Sequence, residues 1–235
     1  MWPKRAARQG RWGVKTSQSP VTALHLRRRD LPRYTMRIIH QGRGYQSTVY
    51  LVQVGGQRVA VKDFSRTPRL FRWCIAPFLV QREMRALRHL ANVPGVPQLY
   101  GRVDLHALAM QYIEGKPIAY FRQGELPLET FPRVQQVIDA IHARGVAHCD
   151  LKRRTNLILT PQGEVFIIDF AASIIGGRPF HPLLNWLQKQ MAVIDDKALP
   201  RIKKFAAPDL LTAADWDKLN HPTFLEKWAR RLFNR

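Results

Sequence analysis

The chain has 235 residues, of which 38 are basic and 17 acidic, for a net charge of +21. That length holds one large domain or two small lobes, and an apolar share of 46% is enough to bury a core. Two cysteines exclude a disulfide framework, neither has the neighbours of a zinc site, and the charge calls for an anionic partner without choosing among nucleic acid, lipid and phosphorylated glycan.

Residues 1–33 read as a basic N-terminal tail with an Arg27-Arg28-Arg29 cluster and no apolar core of a signal peptide. Order is expected from Tyr34. Ser47–Val54 and Gln57–Asp63 read as strands joined at Gly55-Gly56, a hairpin signal. One long helix is expected from Arg69 to Leu90, broken off by Gly95-Val96-Pro97. Strands over Gln98–Val103 and Ala107–Gln111 complete a small sheet, and Gly115-Lys116-Pro117 reads as a linker. Val134, Val137, Ile138 and Ile141 then recur at helical spacing, with Pro132 near the start and Gly145 at the close. Short buried strands are expected at Leu157–Leu159 and Val165–Ile168, around the turn Pro161-Gln162-Gly163, and helices in the remainder. The longest apolar run, Trp73–Val80, is far short of the roughly 20 residues of a membrane span. A cytoplasmic protein, soluble or peripherally attached, is expected.

Chemistry concentrates in three places. Gly42-Arg43-Gly44-Tyr45-Gln46-Ser47-Thr48-Val49 is a glycine-rich turn whose backbone N–H groups can approach phosphate oxygens, although a plain hairpin has the same pattern and Ser47 stands where a third glycine would be. Val59-Ala60-Val61-Lys62 ends an apolar strand on a lysine, which by default is a surface side chain. Coming just after the turn, Lys62 can instead reach phosphates, with Glu83 on the following helix as its carboxylate partner. The most specific stretch is His148-Cys149-Asp150-Leu151-Lys152-Arg153-Arg154-Thr155-Asn156, followed by Ile167-Ile168-Asp169-Phe170. Phosphoryl transfer needs an acid to orient the acceptor hydroxyl, a lysine to neutralise phosphate charge, and an amide and a second acid to hold magnesium.

In order and separation, these motifs resemble the signatures of the protein-kinase-like superfamily over about residues 38–173. The resemblance implies an α+β bilobal fold: a small β-rich N-lobe over residues 34–113 and a shortened helical C-lobe over 114–235, with ATP and Mg²⁺ between them. By that resemblance Lys62 would bind the α- and β-phosphates and pair with Glu83. Asp150 would accept or orient the acceptor proton, Lys152 would stabilise the transferred group, and Asn156 and Asp169 would ligate Mg²⁺. Gly42, Gly44, Val49 and Ala60 would surround the nucleotide, Met110 would line the back of its pocket, and the backbone of Gln111 and Ile113 would meet the adenine edge.

The chain departs from regulated protein kinases in three ways. Cys149 stands where many carry the arginine that pairs with a phosphorylated activation loop, Ala171 replaces a glycine, and only 66 residues follow Asp169. Ala207-Pro208-Asp209 echoes the end of an activation segment but lies too far downstream. The chain thus resembles compact bacterial kinases, including the lipopolysaccharide-core (Kdo/heptose) kinases, and more distantly the RIO kinases; the stretches Phe71–Val80 and Pro94–Arg102 look like the bacterial group. The resemblance thus implies a hydroxyl acceptor, either a core sugar or a protein Ser/Thr side chain. Lys152, two residues after Asp150, is the Ser/Thr-kinase arrangement.

A basic amphipathic helix opening at Thr223-x-x-Glu226, with Phe224, Leu225, Trp228 and Leu232 on one face, and the Trp73–Val80 stretch are two candidates for peripheral contact with the inner face of a bacterial membrane. Both patterns also suit packing against the protein. No nucleic-acid motif is present, so nucleic acid is not the expected partner. The alternative to an enzyme is a catalytically weak pseudokinase or a basic binding module at an anionic surface.

Overall fold

The computed structural model describes residues 26–177 and 181–223. The helix expected after Thr223 lies outside them. A short 3₁₀ turn leads into α1 (Leu31–Tyr34) and strand β1 (Thr35–His40). Next come β2 (Thr48–Val54), β3 (Gln57–Asp63), the short α2 (Arg69–Cys74) and α3 (Ala76–His89). Strands β4 (Leu99–Asp104) and β5 (Ala107–Gln111) close a five-stranded antiparallel sheet in the order β1-β2-β3-β5-β4.

Strand alternation assigns the two faces of this sheet. Val59 and Val61 on β3 join Val52, Ala107, Ala109 and Tyr100 in one core cluster, which Leu26 and Leu31 cover. Ala60 points the other way, into the cluster that holds Val80, Met84 and Leu87 of α3. Lys62 has the parity of Ala60 and therefore faces α3, whereas Asp63 has that of Val61 and faces the N-terminal segment.

The C-lobe opens on β6 (Lys116–Pro117) and α4 (Thr130–Ala143). Then follow β7 (Val146–Ala147), β8 (Leu157–Leu159), β9 (Val165–Ile167) and β10 (Ile174–Ile175). β6, β8 and β9 form one small sheet, and β7 pairs with β10. Helices α5 (Pro182–Asp195), α6 (Ala198–Ala206) and α7 (Ala213–Asn220) complete the described chain. The larger core cluster runs from Ala60 through α3, α4 and the β8–β9 hairpin to Ile202, so it joins the lobes. This is the α+β, β-rich-then-helical architecture that the motifs imply. Among the described residues no helix is long and apolar enough to cross a membrane.

Four expectations need correction. Residues 26–33 are not a loose tail: Leu26 and Leu31 are buried, and Arg28 binds Asp104 and, at 2.9 Å through two nitrogens, Asp63. The exposed strand β1 was not foreseen, because its residues bury too little to leave an alternating pattern. The helix expected over Arg69–Leu90 divides at Ile75, just before Pro77, whose ring cannot sit in a helix interior. The Gly115–Pro117 linker contains β6, paired to β8.

Candidate active site

Lys62, one residue before the end of β3, lies opposite Val49 of β2 and Leu108 of β5. Its ammonium lies 2.8 Å from Glu83 Oε2 on α3 and 2.6 Å from Asp169 Oδ1. Lys62 is 6% exposed and Glu83 is fully buried. Burial works against the Lys62 charge, but the two carboxylates outweigh it and hold the pKa above the ordinary lysine value. Burial pushes the Glu83 carboxyl up against the pull of Lys62. Lys62 draws the Asp169 carboxyl below the usual aspartate range despite its burial, so Asp169 is a carboxylate at neutral pH.

The β8–β9 hairpin sets Asn156 beside Asp169, because Ile168 N–H donates to the Asn156 carbonyl at 2.9 Å. Asn156 Nδ2 donates to the backbone oxygen of Asp150 at 3.2 Å and more weakly to its Oδ2 at 3.4 Å. Arg153 Nε lies 3.3 Å from the same Oδ2. Lys152 is exposed on this loop. The amide oxygen of Asn156 and the carboxylate of Asp169 are hard donors. One amide and one acid can hold Mg²⁺ when water and substrate phosphates complete the shell. Among the described residues there is no cluster of three or more His, Cys, Asp or Glu side chains that could bind a metal by themselves.

The sheet register groups the expected nucleotide contacts. Leu51, Ala60 and Met110 form one cross-strand row, and Val49, Lys62 and Leu108 the next. An apolar platform therefore adjoins the ammonium, as a nucleobase beside its phosphates would need. Strand β5 ends at Gln111, whose N–H is taken by Gln98 O, and buried Ile113 lies just beyond it. Gly42 and Gly44 bracket a turn closed by Gln46 N–H to Arg43 O at 3.1 Å and by Gly42 N–H to Thr48 Oγ1 at 3.3 Å. A concavity of about 510 Å³ is lined by Glu114, Lys116, Phe121 and Leu159 and by none of the charged residues of this site.

Two residues that anchor the site escape a sequence reading. Buried Asp195, at the end of α5, accepts from His148 N–H at 2.6 Å and from Cys149 N–H at 3.0 Å, and so fixes the loop before Asp150. Arg82, next to Glu83, donates to Ser173 O at 2.7 Å and Ala172 O at 2.8 Å, tying α3 to the segment after Asp169. Neither has a local signal, since their partners are backbone atoms far away in sequence.

The departures also have physical accounts. Cys149 and Asp169 adopt left-handed backbones, with φ of 70° and 68°, and Ala171 does not, so no glycine is needed after Phe170. Burial and the Asp195 charge push the Cys149 thiol up to about 12, which makes it a poor nucleophile. In sequence, residues 170–181 lie between Asp169 and the start of α5 at Pro182, and Ala207-Pro208 follows the end of α6.

A β-rich lobe whose buried lysine meets an acid of the helical lobe, beside an Asp–Asn loop, defines a protein of the protein-kinase-like superfamily. Residues 56–185 match the RIO domain family, more than half of the chain, and the chain belongs to that family. It is also similar to CBL-interacting protein kinase 4 of Oryza sativa subsp. japonica, at 33% identity over 57% of this chain and 32% of the relative. A probable bifunctional tRNA threonylcarbamoyladenosine biosynthesis protein of Methanosarcina acetivorans is 30% identical over 54% of this chain and 23% of its own length. CBL-interacting serine/threonine-protein kinase 18 of Arabidopsis thaliana is 31% identical over 57% and 27%. The chain thus spans about a quarter to a third of these curated relatives.

Proposed function

We propose that the protein transfers the γ-phosphoryl group of ATP, with Mg²⁺, to an alcohol. The observation that carries this reading is the Lys62–Glu83–Asp169 cluster, with contacts of 2.8 and 2.6 Å, beside the Asp150–Asn156 loop. Lys62, held by Glu83, neutralises the α- and β-phosphates. Asn156 and Asp169 hold the metal, which when bound offsets charge on the phosphate oxygens. Asp150 orients the acceptor hydroxyl and takes its proton, and Lys152 steadies the group in transfer. Gly42 and Gly44 let the backbone close over the phosphates, Val49, Ala60 and Met110 pack on the base, and backbone groups of Gln111 and Ile113 meet its edge.

The acceptor is a protein Ser/Thr side chain, a reading supported by Lys152 two residues after Asp150 and by the name of the Arabidopsis relative. A lipopolysaccharide-core sugar is a second reading. Only residues 170–181 separate Asp169 from α5, which leaves little chain for a peptide-docking platform, and peripheral attachment at the inner membrane face suits such a substrate.

Labelled ATP and Mg²⁺ offered with a panel of Ser/Thr proteins and with de-acylated core oligosaccharide separates the two. Wild type labels one class, and Asp150→Ala lowers transfer by about a hundredfold or more. Transfer unchanged in Asp150→Ala sinks the catalytic reading. Nucleotide binding without transfer to either class favours a pseudokinase or basic binding module.

A further inference from the structure

α2 and the start of α3 are unusual for a chain segment rich in large apolar side chains: α2 has no buried residue at all. Leu70 is 80%, Trp73 60% and Phe78 62% exposed. Leu105, also exposed, borders them, because its neighbour His106 meets the Trp73 ring edge-on at 5.0 Å. Large apolar side chains exposed on two consecutive helices mark an interaction surface.

Charge identifies its partner. Between Phe64 and Gly101 the chain has six arginines and one acid. That acid is Glu83, buried and engaged by Lys62, so it offsets none of the surface charge. Arg66, Arg69, Arg85 and Arg88 are all exposed. Phe78 and Arg85 stand at i and i+7, so the apolar face of α3 continues to an exposed arginine. Nucleic acid would engage the arginines but would gain little from covering aliphatic Leu70. A bilayer interface uses both sets, with arginines at lipid phosphates and Leu, Trp and Phe at the headgroup–acyl boundary.

We propose that α2 and the exposed face of α3 from Phe78 to Arg85 dock the protein on an anionic lipid surface. Leu70, Trp73 and Phe78 enter the boundary, and Arg66, Arg69 and Arg85 engage lipid phosphates. Glu83 follows Phe78 by five residues on the same helix, about 7.5 Å of rise, so docking holds the phosphoryl-transfer site close to the membrane. The docking face shares no residue with the site and stands whether or not the chain transfers phosphate.

Flotation of the whole chain with phosphatidylcholine vesicles, with and without phosphatidylglycerol, tests this. Wild type floats with the anionic vesicles only. Replacing Leu70, Trp73 and Phe78 together by Gln lowers partition by about tenfold or more. Arg66→Glu with Arg69→Glu does the same, and both variants keep the wild-type unfolding midpoint. As a check that leaves the fold intact, brominated lipid quenches wild-type tryptophan fluorescence more than that of Trp73→Phe. Partition unchanged by the apolar replacements would mean that the +21 charge alone attracts the protein, and would overturn the proposal. So would RNA binding that shows the variant sensitivities the vesicles lack, or a dimer that the apolar replacements dissociate while vesicle partition stays constant.

Discussion

A Cβ on Gly42 would lie 2.4 Å from the Gln46 carbonyl oxygen and 2.7 Å from that of Ser47, backbone atoms that cannot step aside. Gly44 has φ of +57° and open space around its Cα. Gly42→Ala therefore distorts the turn and raises KM for ATP severalfold, whereas Gly44→Ala adds only left-handed strain of about 1–2 kcal/mol and changes KM less. Equal effects on KM in steady-state kinetics would contradict this account. Lys62→Met leaves the buried Glu83 carboxylate without its cation and should cost about 3–5 kcal/mol in urea unfolding, partly relieved by protonation of Glu83. His148 sets a pH dependence. Its Nε2–H donates to Ile168 O at 3.0 Å and its Nδ1 accepts from Asp150 N–H at 3.3 Å, which defines one neutral tautomer. Burial lowers its pKa below the ordinary 6.5. The unfolded chain then takes up this proton before the folded one. The stability contribution is complete above pH 6.5 and falls as the pH drops toward the lowered folded value. Urea unfolding across this acid range should show a steeper loss for wild type than for His148→Gln.

At the scale of elements, Arg82 clamps α3 to the segment after Asp169. Its guanidinium spans two carbonyls of the segment after Asp169, and the neighbouring Glu83 holds Lys62, so one turn of α3 fixes both. Arg82→Ala should lower kcat/KM by about tenfold, with a stability loss of about 1–3 kcal/mol from carbonyls left bare, and Arg82→Lys should restore only part of it. Wild-type kinetics for Arg82→Ala would show that α3 keeps its place without this clamp. The reach of Arg82 also explains what the sequence conceals. Lys62 can be matched with Glu83 because β3 alternates cleanly and Glu83 is the one acid in the helical stretch Arg69–Leu90 that follows. Asn156 and Asp169 could be matched because a short hairpin joins them. Arg82 and Asp195 recognise main-chain atoms, which any sequence supplies, so spacing alone does not reveal them. Strand β1 was hidden because five of its six residues are exposed, and the break at Ile75 because the apolar pattern of Arg69–Leu90 continues across Pro77.

Across the whole molecule, the site is divided between its halves. Lys62 and Glu83 belong to the β-rich lobe, and Asp150, Asn156 and Asp169 to the helical one, with the Lys62–Asp169 contact of 2.6 Å crossing between them. A nucleotide gripped by both halves stabilises the native state by mass action. At about a hundred times its Kd the gain is about 2.7 kcal/mol. For a chain of this size that raises Tm by roughly 5–10 °C. The roles proposed for Asp169 at the metal and for Lys62 at the phosphates then separate in a thermal shift experiment. Asp169→Asn should lose the part of the shift that Mg²⁺ adds and EDTA removes, while Lys62→Met should lose most of the nucleotide shift with or without metal. Asp150→Ala, which spares both, should keep a wild-type shift while phosphoryl transfer disappears. Loss of the shift in Asp150→Ala would place that carboxylate in nucleotide binding and reassign the acceptor proton to another group.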